Sequence, residues 1–313
     1  MGTTASLRNN HIIGGKYGFF YRNDDTYGKV IFENNTIQNS YFGVEIINED
    51  TIIIANNTVE NNLSARSTLY VDINTNYVTG RIGISAYASP NRAYIYNNIV
   101  DVESYGIIVN AYNNVYHNTV RTKTYGALHL FNISGLKDSS NVVNNIFIGD
   151  STNVFYVLGY LSPSFYIDYN IYMTKDTTQG IVHTETIWNN NHYNLSSWKQ
   201  LNPTWNTHSI QLIDTSFLNW TDLTIKYGAA VDAGADLGIL TDIEGQSRPQ
   251  LGNAPEPQCP RPASASGLPQ SSGLSIRQSQ LFRFHPSRPW QCPSLIPAHP
   301  EIRLKAVESR RIA

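Results

Sequence analysis

Five carboxylates fall at matching places of a repeating sequence. Asp24 and Asp25 follow Asn10 by fourteen and fifteen residues, Glu49 and Asp50 follow Asn35 by the same intervals, and Asp72 follows Asn57 by fifteen. If the three asparagines are equivalent, so are the carboxylates, and successive coils would set them on the order of 5 Å apart. Like charges that close repel and raise one another's pKa unless a cation sits among them. Ca²⁺ answers that need, because it takes six to eight oxygen ligands in flexible geometry. A second chemistry needs only two carboxyl groups, one as acid and the other as nucleophile or base at a glycosidic bond. Glu45, close to Asp24 or Glu49 in the same register, could complete such a pair. Each carboxylate also has a plainer reading, as part of a solvated acidic edge that keeps the protein in solution.

The elements that must position these groups come from the repeat. The segments NNHI, NNTI, NNTV, NNIV, HNTV, NNIF and YNIY recur, and with INTNYV they define anchors at Asn10, Asn35, Asn57, Asn76, Asn98, Asn118, Asn145 and Asn170. Three residues before the anchors stand Leu7, Phe32, Ile54, Ile73, Ile95, Val115, Val142 and Ile167, all apolar. Two residues after them stand Ile12, Ile37, Val59, Val78, Val100, Val120, Phe147 and Tyr172, again apolar or aromatic. Short β-branched runs bounded by Asn, Gly and Ser, without a 3.6-residue period, read as strand and turn. Repeats of this length predict an all-β fold, a right-handed single-stranded parallel β-helix of about eight or more coils. The anchor Asn then has a structural task, to tolerate left-handed backbone and to donate and accept along the stack. Gly18, Gly43, Gly83, Gly106 and Gly126, seven or eight residues past the anchors, read as bends before the next strand.

These residues resemble the right-handed parallel β-helix repeat family, the pectate-lyase-like superfamily of polysaccharide lyases, glycoside hydrolases and phage tailspikes. The resemblance covers roughly residues 5 to 175. It implies a protein that binds a polysaccharide or cell-surface glycan, with cleavage as a further option. For a lyase it implies a Ca²⁺ ion and an Arg or Lys base, for which Arg22, two residues before Asp24, is the candidate. Because catalytic and non-catalytic members share the fold, a non-catalytic adhesion rod is the alternative. A trimeric tailspike is a third.

Outward-facing side chains offer a further surface. If Phe19, Val44, Ile84, Ile107, Ala127 and Val154 point inward, then Phe20, Glu45, Ser85, Ile108, Leu128 and Phe155 point outward, as a sugar-stacking platform or as residues covered by loops. His129, one step on, reads as a core or pocket histidine rather than a catalyst.

From about residue 180 the repeat fades. Residues 181–250 read as a solenoid end, with a short helix in SSWKQL capped by Ser196 and short strands at Ser209 to Phe217 and Leu223 to Ile225. Asp214, Phe217, the AVDAG of Ala230 to Gly234 and the TDIEGQSRP of Thr241 to Pro249 are similar to the end segment of bacterial secreted β-helix proteins that precedes an anchoring region. Residues 251–313 hold both Cys and 10 of the 14 Pro but no Tyr, which predicts disorder, from a frame change near residue 255 or a natural linker. Residues 1–250 carry 14 Lys and Arg against 21 Asp and Glu, a net charge of −7. That balance argues against a nucleic-acid partner, and no stretch approaches the ~20 apolar residues of a membrane span. Met1 to Asn10 lacks a secretory signal and the first coil lacks an obvious cap, which together with the Cys-free body predict a piece of a longer protein of the bacterial exterior.

Overall fold

The computed structural model describes residues 4–23, 28–88, 93–110, 113–131, 140–150, 153–158, 165–174, 182–185, 190–201 and 203–212, with short strands at 218–219 and 224–225. The chain winds as a parallel β-solenoid whose turns present three strand faces. Face 1 comprises Tyr17–Arg22, the starts of Phe42–Ala55 and Leu63–Asn74, then Ile84–Ala88, Ile107–Asn110, Leu128–Phe131, Phe155–Leu158 and Val182–Glu185. Face 2 begins with Thr4–Arg8 and Lys29–Glu33, continues through the ends of Phe42–Ala55 and Leu63–Asn74, and finishes with Ala93–Tyr96, Asn113–Tyr116, Asn141–Val143 and Tyr166–Asp168. The two long strands turn the corner between these faces and join them into one sheet of 15 strands. Face 3 is a separate sheet of nine strands, from His11–Ile13 to Ile210–Leu212. The eight anchors bound about seven turns, slightly fewer than the eight or more coils expected.

Both apolar series lie in register. Phe32 pairs with Ile54, Ile54 with Ile73, Ile73 with Ile95 and Ile95 with Val115 on face 2. Ile37, Val59, Val78, Val100, Val120 and Phe147 stack in the same way on face 3. All of these side chains are buried. The core is thus a set of columns, each formed by one offset of the repeat, and burial of such columns supplies the main favourable term in folding.

The corner between faces 2 and 3 divides its work between two residues. The anchors form the ladder: Asn98 Nδ2 donates to Asn118 Oδ1 at 2.9 Å, and the Asn98 backbone N–H donates to the same oxygen at 3.0 Å. The same pair of bonds links Asn57 to Asn76 and Asn118 to Asn145, and the ladder ends where Asn170 N–H donates to Ser209 Oγ. The left-handed backbone belongs instead to the residue before the anchor, at Asn9, Asn34, Asn56, Thr75, Asn97, His117, Asn144 and Tyr169, with φ between 54° and 60°. The expectation that the anchor performs both tasks is corrected on this point. Asn is favoured before the anchor because it tolerates this region at little cost, whereas β-branched Thr75 is strained there.

The glycines of face 1 also act otherwise than expected, since none of the five has a left-handed φ. A side chain on Gly106 would collide with the Ala127 carbonyl and Val120, and one on Gly43 with the Asn61 carbonyl and Val59. They permit close approach of successive turns rather than a bend.

After the last full turn, the helix Leu195–Leu201 packs Leu195 and Trp198 against the core, together with Trp205. Asn194 Oδ1 accepts the Ser197 N–H at 2.8 Å, so Asn194 and not Ser196 caps the helix. Trp205 Nε1 donates to the Phe165 carbonyl at 2.9 Å, and buried Tyr172 donates its hydroxyl to Asn206 Oδ1 at 2.8 Å. Asp168 accepts the His208 backbone N–H and Nδ1, each at 2.7 Å, which ties this segment to the last turn. Of the expected strand Ser209 to Phe217, Ile210–Leu212 pairs with Ile171–Thr174. Leu218–Asn219 and Thr224–Ile225 form an antiparallel pair. Residues 226–313 lie outside the described residues, and no described helix is long and apolar enough to cross a membrane.

Candidate functional site: an aromatic and histidine groove

One residue more separates Thr122 from Leu128 than separates Val102 from Ile107, although both ends are paired in register. In a strand a one-residue shift exchanges the inner and outer faces. Leu128 and Phe155 therefore enter the core, fully buried, and His129 and Tyr156 take the outward places. The outward row runs Phe20, Glu45, Ser64, Ser85, Ile108, His129, Tyr156 and His183, each opposite the next. The expected platform keeps Phe20, Glu45, Ser85 and Ile108 but loses Leu128 and Phe155.

Beyond Ile108 the row becomes a line of rings. Tyr125 stacks on Tyr105 with centroids 4.7 Å apart and planes 7° from parallel. Tyr105 meets His129 edge-on at 4.9 Å, and His129 stacks on Tyr156 at 4.9 Å. Tyr156 meets His183 at 4.3 Å, and His183 meets His192 at 4.4 Å across the antiparallel pairing of Val182–Glu185 with Asn190–Tyr193. These rings, with Tyr87 and Phe131 from the next outward row and Asn153 and Thr124 from the connections, line an open cavity of about 650 Å³. No Asp, Glu, Lys or Arg is among its described lining residues.

His129 is the most constrained member. Its relative exposure is 3%, its Nε2 is itself buried, and the ring hydrogen-bonds to the Gly126 backbone. Burial, then the neighbouring His183, push its pKa down from 6.5 to about 4, with the Gly126 backbone opposing. The imidazole is therefore neutral at pH 7. Sequence reasoning found the histidine but not its row, because the signal lay in the extra residue before Leu128.

The residues singled out for chemistry lie elsewhere. Glu45 stands in the outward row between Phe20 and Ser64, four strand spacings from His129, or about 19 Å. Arg22 is exposed, opposite Ile47, at the same end of face 1. Asp24 and Asp25 lie outside the described residues. Glu49 falls between two register shifts of its strand and is 1% exposed, so it does not share an outer surface with Glu45. Both of its carboxylate oxygens are buried. The Tyr21 hydroxyl is pushed up, by burial first, then by the Glu49 charge and by its hydrogen bond to Glu49. Ser67 Oγ donates at 2.7 Å to the carbonyls of both Glu49 and Asp50.

Asp72 departs from the expected column. It pairs with Ile53, whereas Ser67 is the residue opposite Glu49, because Asn57 and Asn76 are three residues closer together than Asn35 and Asn57. On face 2 it accepts from Asn74 Nδ2 at 2.7 Å and from the Tyr70 hydroxyl at 3.2 Å. Burial raises its pKa, against hydrogen bonds from Asn74, Tyr70 and Tyr96. Among the described residues no three His, Cys, Asp or Glu are grouped to hold a metal.

The sequence model of the right-handed β-helix region matches residues 1–170. The chain belongs to the right-handed β-helix family. A pectate-lyase-like relationship is consistent with that membership. No curated protein and no solved structure matches the chain. What this β-helix protein does must therefore be argued from its own surface, since the fold hosts several functions.

Proposed function

We propose that this right-handed β-helix protein binds a polysaccharide in the groove of face 1. The observation that carries the reading is the unbroken line of rings from Tyr125 to His192, with neighbouring centroids 4.3 to 4.9 Å apart. Sugars present flat CH faces that pack on aromatic rings, and their hydroxyls need donors and acceptors at the edges of those rings. Phenols, imidazoles and the Asn153 amide supply both. The Cys-free body and its neutral ladders support a place outside a bacterial cell, on its surface or in its secretions. Because Glu45 and Arg22 stand apart from the groove, binding as in an adhesion rod is favoured over cleavage.

A second reading concerns Ca²⁺. The buried carboxylate of Glu49, whose charge the Tyr21 hydroxyl does not neutralise, fits a bound cation, and Glu49 with Asp50 would hold it. Asp72, engaged by Tyr70 and Asn74, does not fit that site. When bound, Ca²⁺ would compensate the Glu49 charge, several turns from the groove.

Both readings are open to one set of measurements on the full chain. Binding to a glycan panel, with reducing ends and unsaturated uronate followed, should give retention of at least one glycan without product. Retention of none would overturn the proposal, and product would reinstate cleavage. A melting temperature raised by Ca²⁺ in the wild type but not in Glu49→Gln would support the cation; no change in either would remove it.

A further inference from the structure

We infer that the outer side of face 2 holds a second site, centred on Asp72, that takes a primary alkylammonium group. The site stands apart from the groove of face 1 and does not depend on how that groove is read. Alternation along Leu63–Asn74 sends Val71 and Ile73 into the core, so Tyr70, Asp72 and Asn74 stand outward. On the next turn Tyr94 is the register partner of Asp72, and Tyr96 that of Asn74. Three phenols on two strands thus surround one carboxylate, with Ile53 opposite it on the preceding turn. The rings of Tyr70 and Tyr94 lie 5.6 Å apart, planes 37° from parallel. Tyr70 is exposed, and Asp72, Asn74, Tyr94 and Tyr96 are each partly exposed, so a ligand can reach the group.

The donors that meet the Asp72 carboxylate are neutral: Asn74 Nδ2 at 2.7 Å, the Tyr70 hydroxyl at 3.2 Å and the Tyr96 hydroxyl. They satisfy its hydrogen bonds but not its charge, whose partial burial is costly and which a bound cation would compensate. A carboxylate offers about four acceptor positions, so three donors leave about one. That suits an ammonium, a compact point charge, better than a guanidinium, whose fork asks for two. Phenol faces attract a cation within about 6 Å, and Ile53 offers apolar surface to an alkyl stem. A sugar hydroxyl could hydrogen-bond here but would leave the charge as it is. The residue choice supports the role. Asp is depleted in strands, and Asn would keep an acceptor without burying a charge. Asn114 and Asn141 do stand at the equivalent place two and three turns later. The net charge of −7 on residues 1–250 adds long-range attraction of cations.

The test titrates the full chain, labelled at Tyr, with n-butylammonium and with n-butanol as the neutral control, at pH 7.5 and low salt, while aromatic ¹H–¹³C spectra are followed. The cation should shift Tyr70, Tyr94 and Tyr96 and leave Tyr105, Tyr125 and Tyr156 in place, and the alcohol should bind at least tenfold more weakly. Nα-acetyl-lysine amide forms a second arm: tighter binding than n-butylammonium assigns the ammonium to a lysine side chain, and equal or weaker binding assigns it to a free amine. Asp72→Asn, with wild-type circular dichroism, should weaken the cation at least tenfold. An equal response to the alcohol, shifts confined to other tyrosines, or unchanged affinity in Asp72→Asn would each overturn the inference. The comparison of amine with alcohol on the wild type decides the charge preference even if that variant does not fold. Loss of the glycan reading of the groove would leave this result untouched.

Discussion

The imidazole of His129 lies against the ring of Tyr156, centroids 4.9 Å apart and planes 30° from parallel. The contact exists because the two residues are register partners on successive turns of face 1. Its neighbours extend it in both directions, so the rings act as one surface.

Replacing Tyr156 with Ala should therefore interrupt the platform without opening the core. Tyr156 is only half-buried and points away from Phe155 and Val157, both fully buried. We expect unchanged circular dichroism and a loss of glycan affinity of about tenfold, in keeping with about 0.5–1.5 kcal/mol for an aromatic contact beyond its area. Isothermal titration of a glycan that binds the wild type checks it, and unaltered affinity would count against the platform.

His129 also predicts how stability varies with pH. Its pKa in the fold, about 4, lies below the 6.5 of an exposed histidine, so the unfolded chain binds the proton more tightly. The associated stability is fully present above pH 6.5 and is lost as pH falls from there through 4. About 3 kcal/mol would be lost by the end of that window. Urea unfolding at pH 7.5 and pH 4 should show this component in the wild type and not in His129→Phe. Equal pH dependence in both would contradict the assignment.

The ladder should be intolerant at its middle. Asn98 accepts from Asn76 Nδ2 and donates to Asn118 Oδ1, Ile73 O and Tyr96 O, all at 2.9–3.0 Å. Asn98→Ala leaves several buried groups without partners, and each such loss costs about 1–3 kcal/mol. Asn98→Asp keeps an acceptor but removes the amide donors and buries a charge, so it should be at least as damaging. Chemical denaturation measures both, and a loss below about 1 kcal/mol in either would show that the ladder is dispensable.

Two glycines only twenty positions apart should behave differently. Gly106→Ala meets the Ala127 carbonyl and should strongly destabilise or prevent folding, because backbone must move. Gly126→Ala meets chiefly the His129 ring, at 3.1 Å from Nε2, and should fold with an altered groove. Thermal melts and glycan titration of the pair separate the two effects.

The contrast between those glycines also shows how far the sequence could be read. Columns such as Phe32, Ile54 and Ile73 were legible, because each recurs at one offset from an anchor and the anchors are hydrogen-bonded to one another. The groove was not legible by the same counting. Gly126 sits at the offset of Gly106, yet Ala127 is the residue that pairs there, and this single insertion sends Leu128 inward and His129 outward. Asp72 was displaced by the opposite effect, a turn three residues shorter than the one before it. Counted back from Asn76 rather than forward from Asn57, it falls opposite Ile53, as the structure has it. The left-handed corner was half legible: Asn9, Asn34 and Asn56 announce it, whereas Thr75 and Tyr169 carry it without any local preference.

The most direct test of the central claim is to observe the rings themselves. Aromatic ¹H–¹³C spectra of the full chain, labelled at Tyr and His and titrated with a glycan that it retains, should show shifts at Tyr105, Tyr125, His129, Tyr156, His183 and His192. Resonances of Tyr70, Tyr94 and Tyr96 on face 2 should stay in place. Shifts confined to face 2, or to the Glu45 end of face 1, would contradict the account.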